Sequence, residues 1–290
     1  MQPQPFPILE IGQAQCIPLH DFTRVYDAGH LAINEKGEDV RSAFPEYGMQ
    51  GEHVDVDYTP LLIKLAGKLI LLDTGIGNYA SPRALLGKPE YLKGRLQDRL
   101  KQHHVAPEEI DVVVLSHLHP DHIGGNFNEE GQLLFPNSTF VTGRAERAFW
   151  RSSASQAMPP SFHAFIRENI EPLDEKALLL IGDEEEVVEG LRAMATPGHT
   201  PGHLSFLLES EGESLIFAAD TILSRLHLEH LEVRMGFDVD HEQARRSREK
   251  VLDLAIGHDA VIHAYHIEYP GLGRVSRKGH GYRWEPLAQT

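Results

Sequence analysis

Short apolar runs separated by polar turns are the main feature of the chain. Residues 60–65 and 68–72 are two such runs, and the small residues Ala66 and Gly67 between them predict a β-hairpin. Further apolar and often β-branched runs predict buried strands at residues 110–115, 139–142, 204–208, 214–221 and 261–262, with a short strand before Pro197. The pattern therefore predicts strands spread over most of the chain.

Segments whose apolar residues have the spacing of a helix lie between these strands. Residues 88–104 place Leu92, Leu96 and Leu100 four residues apart among charged side chains, which predicts an amphipathic helix. Two further segments also have helical patterns, at residues 143–172 and 241–256.

Residues 1–59 have the weakest pattern. We expect one strand within residues 6–18, whereas residues 27–49 are rich in Gly, Asn, Glu and Pro and predict a loop. Long irregular stretches of this kind are often functional or mobile. We therefore interpret residues 1–59 as an irregular amino-terminal segment.

Composition and charge restrict the function classes. The 290 residues are 41% hydrophobic and 24% charged, as in ordinary soluble globular proteins. The 43 acidic residues exceed the 27 basic ones, and the net charge of −16 disfavours nucleic acid and anionic membranes as partners. The single cysteine, Cys16, excludes an intramolecular disulfide and fits a cytoplasmic location. We expect neither a transmembrane helix, which takes about 20 apolar residues, nor a signal peptide.

The most informative stretch is residues 115–125, Leu-Ser-His-Leu-His-Pro-Asp-His-Ile-Gly-Gly. It places His117, His119, Asp121 and His122 close together, directly after a predicted buried strand. A single histidine here would be interpreted as a surface or capping residue. Imidazoles and a carboxylate in this order are instead typical ligands of zinc and similar divalent ions. The stretch predicts a metal site on a loop that a rigid sheet supports.

Two more stretches carry candidate ligands. Within residues 191–203, two Pro-Gly pairs bracket His199 and hold it on a tight turn. Asp220 ends a buried apolar strand, where an unpaired carboxylate is costly. It either caps the next element or bridges two metal ions, and bridging explains its burial better. We expect His203, which enters the next strand, to be structural rather than to support a ligand.

The order His117-x-His119-x-Asp121-His122, followed by Gly-Gly, resembles the signature of the metallo-β-lactamase-fold hydrolases. The stretch Thr-Pro-Gly-His-Thr-Pro-Gly-His around His199 is similar to the second metal motif of that superfamily. The carboxyl-terminal His266-x-x-aromatic-Pro-Gly-x-Gly resembles the branch that contains the N-acyl homoserine lactonases and methyl parathion hydrolase.

The resemblance covers about residues 60–286 and implies an α/β (α+β) fold. This fold is a four-layer αβ/βα sandwich of two mixed sheets with helices outside. We expect residues 1–290 to form a single domain, with its core at residues 60–286. Residues 1–59 would then wall the substrate pocket or form the contact of a homodimer.

The resemblance also implies two divalent metal ions per chain. It assigns His117, His119 and His199 to one ion, Asp121, His122 and His266 to the other, and Asp220 to both. His263 is the alternative to His266 as the last ligand. Zinc is the expected metal, although manganese, iron or cobalt also suit these donors. Asp73 either packs beneath this site or is a simple turn residue.

The implied activity is hydrolysis of a small-molecule lactone or ester, with N-acyl homoserine lactones as the first substrate hypothesis. A hydroxide held between two metals would attack the carbonyl, and Asp121 would orient it and pass its proton to the leaving group. Proteins of this branch carry a tyrosine near the bridging aspartate, whereas residues 221–235 contain none. The alternatives are a phosphotriesterase of the methyl parathion hydrolase kind, a thioesterase resembling glyoxalase II, and a non-catalytic metal-binding module.

Overall fold

Two seven-stranded mixed sheets form the centre of the protein in a computed structural model. The structure describes residues 8–47, 49, 51–77, 83–85, 88–90, 92–174 and 178–288. No helix within these ranges is both long enough and apolar enough to cross a membrane.

The strands are, in chain order, β1 (Leu9–Ile11), β2 (Ala14–Pro18), β3 (Phe22–Asp27), β4 (His53–Tyr58), β5 (Leu61–Leu65), β6 (Lys68–Leu72), β7 (Arg83–Leu85), β8 (Lys88–Glu90), β9 (Val112–Leu115), β10 (Thr139–Gly143), β11 (Leu178–Ile181), β12 (Glu186–Val188), β13 (Leu191–Ala195), β14 (Leu204–Ser210), β15 (Glu213–Phe217), β16 (Val261–His263), β17 (Leu272–Lys278) and β18 (Gly281–Pro286). The helices are α1 (Leu96–Gln102), α2 (Pro120–Ile123), α3 (Arg144–Arg151), α4 (Pro160–Asn169), α5 (Glu171–Asp174), α6 (Leu226–Glu229) and α7 (His241–Gly257).

Each sheet combines parallel and antiparallel pairs. The first has the order β1-β2-β5-β6-β9-β10-β11, and its strands run parallel from β6 onwards. The second has the order β12-β13-β14-β15-β16-β17-β18, with β15 and β16 as its parallel pair. The hairpins β3–β4 and β7–β8 stand apart from both sheets.

Side chains of the second sheet alternate between two hydrophobic cores, as the two-residue period of a strand requires. Phe206 and Leu208 join the core that both sheets share. Leu207, between them, packs in a second core together with Val251 and Leu252 of α7. Helix α7 therefore covers the outer face of the second sheet, and the predicted α/β sandwich is confirmed.

The predicted hairpin is confirmed, but the helix expected over residues 88–104 is shorter. Residues 88–90 form β8, and α1 begins only at Leu96. Pro89 lacks the backbone donor that a helix interior needs. The buried Asp21 carboxylate accepts hydrogen bonds from the backbone N–H groups of Arg95 and Leu96, at 2.7 and 2.8 Å, and this sets where the helix starts.

The expectation that residues 1–59 are irregular is wrong for much of this segment. β1 and β2 extend the first sheet, because β2 pairs with β5, and β3 pairs with β4 as a hairpin. In β3 the charged Arg24 is buried and the apolar Val25 is exposed, so its pattern is weak in the sequence, whereas in β4 Val54, Val56 and Tyr58 alternate with polar residues as in an ordinary strand. Residues 28–47 contain short 3-10 turns and connect the two strands of the hairpin.

Candidate metal centre and substrate cavity

The seven predicted ligands lie together where strands of both sheets end. The first four lie in residues 117–122, which follow β9 and enter α2. His199 follows β13, Asp220 follows β15 and His266 follows β16. The ends of these strands bring residues almost 150 positions apart into two adjoining groups of potential ligand atoms.

The first group consists of His117, His119, His199 and Asp220, whose ligand atoms all lie within 4.8 Å of one another. His119 Nδ1 is 2.9 Å from His199 Nε2, which is 3.0 Å from Asp220 Oδ2. His117 Nε2 lies 3.8 Å from the same carboxylate oxygen. Ligand atoms around one tetrahedral zinc ion are about 3.3 Å apart, so this spacing suits a single ion.

The second group consists of Asp121, His122 and His266. Asp121 Oδ2 lies 3.8 Å from His122 Nε2 and 3.6 Å from His266 Nε2. Asp220 Oδ1 lies 3.1 and 3.3 Å from the same two nitrogens. Asp220 thus presents one carboxylate oxygen to each group, which is the geometry of a bridging ligand.

Several polar atoms at the centre of the two groups have no hydrogen-bond partner in the described part of the chain, and a bound cation would interact with them. Among the described residues, His117 Nε2, His122 Nε2 and Asp220 Oδ1 are buried without a hydrogen-bond partner. Each unpaired buried polar atom costs about 1–3 kcal/mol, and bound metal ions would remove this cost. Burial raises the pKa of Asp220, but the imidazoles of His122, His266 and His199 outweigh burial and hold that pKa well below its ordinary value. The donor set therefore fits two divalent ions.

In several imidazoles, the ring nitrogen that does not face the other predicted ligands has a contact of its own. Asp73 Oδ2 is 2.7 Å from His122 Nδ1, and Asp238 Oδ1 is 3.0 Å from His199 Nδ1. His266 Nδ1 donates to the backbone carbonyl of Asp57 at 2.9 Å. Such contacts fix the orientation of metal-binding imidazoles in proteins. Asp73 is therefore more than a turn residue, because it packs directly beneath the site.

The remaining two histidines of these stretches have different surroundings. His203 Nε2 accepts a hydrogen bond from the backbone N–H of Asp220 at 3.1 Å, so this histidine holds the backbone of Asp220 in place. The ring of His263 stacks on Phe217 with 5.3 Å between centroids, outside both ligand groups. The structure brings His266, and not His263, to the other ligands.

A cavity of about 770 Å³ opens over both groups. Its wall is largely apolar, and it includes Leu31, Met49, Val54, Val56, Met158, Phe162, Leu223, Leu226, Met235 and Phe237. The expectation that the amino-terminal segment walls the pocket is confirmed, since residues between 24 and 58 line one side. Phe162, from the helical region 143–172, packs against His119 with 5.0 Å between ring centroids.

The sequence reasoning missed the tyrosines that surround the ligands. Tyr26 and Tyr58 line the cavity, and their hydroxyl groups are 2.6 Å apart. Burial raises the pKa of both phenols, so they stay protonated, and because one donates to the other, the pair keeps one further donor. The Tyr265 hydroxyl donates to the backbone carbonyl of Asp121 at 2.7 Å. No spacing signal reveals these residues, because they come from other strands and loops than the one that carries Asp220.

Comparisons with known proteins identify the family of the chain. The sequence pattern of the metallo-beta-lactamase superfamily matches residues 58–266. An N-acyl homoserine lactonase of Bacillus sp. is 29% identical over an alignment of 227 positions that covers 72% of this chain and 84% of that protein. The N-acyl homoserine lactonase AttM of Agrobacterium fabrum is 27% identical over an alignment of 256 positions that covers 85% of this chain and 80% of that protein.

Solved structures give the same result over almost the whole chain. The hydrolase AbOPH of the beta-lactamase superfamily superimposes with a TM-score of 0.84 at 26% identity, covering 99% of both chains. AidC, a dizinc quorum-quenching lactonase solved with a homoserine product, superimposes with a TM-score of 0.82 at 26% identity, covering 98% of both chains. The chain therefore belongs to the metallo-β-lactamase superfamily, as a relative of its metal-dependent hydrolases.

Proposed function

We propose that the protein is a dinuclear zinc hydrolase that opens lactone rings, with N-acyl homoserine lactones as its substrates. The observation that carries the proposal is the placement of Asp220, whose two oxygens face two separate groups of ligand atoms at the base of an apolar-walled cavity. The lactonase activity of the relatives AttM and AidC supports the choice of substrate.

We propose the ligands residue by residue. His117, His119 and His199 would hold one ion, Asp121, His122 and His266 the other, and Asp220 both. When bound, two zinc ions lower the pKa of a water molecule toward neutrality and polarise a substrate oxygen.

Asp121 is the proposed catalytic proton carrier. Its side chain is 16% exposed, whereas that of Asp220 is 3% exposed, so Asp121 is the more accessible acid from the cavity. Its Oδ2 faces His122 and His266, so the other carboxylate oxygen would accept a proton from the attacking water. The water oxygen adds to the carbonyl carbon, the ring C–O bond breaks, and the proton passes to the alkoxide oxygen that leaves, which gives a hydroxy acid.

The cavity wall is suited to the rest of such a substrate. An acyl chain would pack against the cluster that includes Leu31, Met49, Leu226 and Met235. One hydroxyl of the Tyr26–Tyr58 pair donates to the other, so the pair would supply one donor for the polar amide or ring oxygens. The amino-terminal hairpin would thus contribute to substrate binding, although it carries none of the proposed ligands.

The test is proton release from N-hexanoyl homoserine lactone and from a simple γ-lactone, followed in a pH-stat with zinc-loaded protein. We expect turnover by the wild type, and a fall in kcat/KM of roughly 100-fold or more in Asp121→Asn. Asp98→Asn, on the exposed side of α1, is the matched control and should stay within about twofold of the wild type. Full activity of Asp121→Asn, or turnover of a phosphotriester or thioester without any lactone, would contradict the proposal.

A further inference from the structure

The first group of ligands depends on the distance between two separate loops. His117 and His119 lie on the loop after β9 of the first sheet, and His199 lies on the loop after β13 of the second. Two sheets that pack through apolar side chains do not by themselves fix this distance to a few tenths of an ångström. A direct link between the loops is therefore needed for one ion to contact all three imidazoles.

Glu146 makes such a link. This residue of α3 is fully buried, and its carboxylate lies between the two loops. Oε1 accepts hydrogen bonds from the backbone N–H of Leu118, at 3.0 Å, and from Trp150 Nε1, at 2.8 Å. Oε2 accepts from Thr200 Oγ1, at 2.6 Å, and from the backbone N–H of Gly202, at 3.2 Å.

The positions of these donors connect Glu146 to the proposed ligands. Leu118 lies between His117 and His119, and Thr200 directly follows His199. Gly202 brings its loop so close to α3 that an added Cβ would lie 1.9 Å from the backbone nitrogen of Glu146. One carboxylate thus holds both loops against the same helix.

The chemistry requires a carboxylate and not merely a side chain of this size. Three of the four partners are N–H groups, which can only donate, and the fourth is a hydroxyl that donates here. Glutamine would turn an NH₂ group toward one pair of donors and leave at least one buried N–H without an acceptor. An unsatisfied buried donor is unfavourable, so the loop that carries it would move away.

We propose that Glu146 is a positioning residue that sets the spacing of His117, His119 and His199 and thereby the affinity for the first metal ion. The inference rests on the proposed ligand sets. It also predicts an asymmetry, because Leu118 and Thr200 directly adjoin ligands of the first group, whereas none of the four donors adjoins Asp121, His122 or His266 in the sequence. The second ion should be bound as in the wild type when the Glu146 link is weakened.

The experiment measures metal affinity directly, independently of hydrolysis. Metal-free Glu146→Gln is titrated with zinc in competition with a chromophoric chelator, and with cobalt while the visible absorption of the bound ion is followed. We expect one of two binding steps to weaken about 10- to 100-fold, the range typical for loss of a contact that orients a ligand, and the other step to stay unchanged. The cobalt absorption of the weakened site should also change, since its ligand geometry changes.

Single-site backgrounds identify which ion is affected. Glu146→Gln combined with His266→Ala, where the first group is intact, should weaken the remaining site. Combined with His199→Ala, where the second group is intact, it should leave the remaining affinity unchanged. The opposite pattern, or equal loss in both backgrounds, would overturn the inference.

Two further variants separate positioning from general loss of stability. Asp21→Asn removes an equally buried carboxylate that accepts from the backbone nitrogens of Ile76, Arg95 and Leu96. It should lower the melting temperature of the metal-free protein but leave both zinc affinities within about twofold. If Glu146→Gln does not fold, Thr200→Val removes one bond of the same carboxylate and should weaken the first site by about 3- to 10-fold.

The outcomes also separate this inference from the proposed function. A wild type that binds two ions, together with Glu146→Gln that binds both with wild-type affinity, would overturn the role of Glu146 alone. A wild type that binds no zinc would overturn the proposed metal site itself.

Discussion

His263 and His266 lie three residues apart after the same apolar strand, yet their surroundings differ completely. His266 Nε2 is 3.3 Å from Asp220 Oδ1, and its other nitrogen is held by the backbone carbonyl of Asp57. Both ring nitrogens of His263 are buried without a hydrogen-bond partner among the described residues, and the ring stacks on Phe217 at an angle of 8°. At the residue scale, the direction of the side chain decides which imidazole can bind metal.

We expect His266→Ala to bind one zinc ion per chain where the wild type binds two, because it removes a ligand of the second group. His263→Phe should keep both ions, since a phenyl ring can keep the stacking on Phe217. The metal content of dialysed protein, measured by atomic emission, checks this pair. Loss of an ion from His263→Phe with retention in His266→Ala would reverse the assignment of the last ligand.

At the scale of elements, the loop that carries His199 packs against the start of α7. Gly198 has a φ of 136°, and a Cβ at this position would lie 2.1 Å from the backbone nitrogen of Ala244. The backbone N–H of Asp240, the residue that caps α7, donates to the carbonyl of Gly198 at 2.9 Å. The close contact between loop and helix thus determines where His199 is presented.

Gly198→Ala should lower the free energy of unfolding by about 2–4 kcal/mol, because it adds a steric clash with backbone and an unfavourable φ. Zinc affinity at one site should fall with it, since His199 moves. Urea unfolding and zinc titration of the metal-free protein check both effects. Gly257→Ala at the other end of α7 is the control, since an added Cβ meets open space there and should change stability by less than about 1 kcal/mol. Equal stability of the two variants would contradict the role given to this contact.

At the scale of the whole molecule, a buried neutral histidine links folding to pH. Burial lowers the pKa of His263 from 6.5 to about 3. Between these two values the unfolded chain binds a proton that the folded protein excludes. The free energy of unfolding therefore falls as the pH drops below 6.5, and the contribution levels off near pH 3. Because of this single group, the free energy of unfolding is about 2 kcal/mol lower at pH 5 than at pH 7.

His263→Phe should therefore lose about 2 kcal/mol less stability than the wild type when the pH is lowered from 7 to 5. Urea unfolding of the metal-free proteins at both pH values measures the difference. All other titrating groups are common to the two proteins and cancel in the comparison. An identical pH dependence would mean that His263 is not buried as a neutral side chain.

Much of the fold and most of the proposed ligand set follow from the sequence alone. The ligands at residues 117–122 are adjacent in sequence, and the Pro-Gly turns around His199 constrain the chain locally, so both signals are short-range. The apolar runs likewise predict β5, β6, β9, β10 and β14 within a few residues of their observed bounds. Of the strands of residues 9–58, β3 gives a weak signal because the charged Arg24 interrupts its buried face, whereas β4 carries the two-residue alternation of a strand over only six residues.

Only the tertiary structure shows what orients these ligands and what faces them. Asp73 is 49 positions from His122, Asp57 is 209 from His266, and Glu146 joins loops 28 and 54 positions away from it. An aspartate or glutamate in a strand or helix has many local interpretations, and no pattern selects the distant imidazole or N–H that it contacts. The sequence determined which residue types can bind metal ions, whereas the packing of two sheets and of helices α3 and α7 decided how far apart those residues lie.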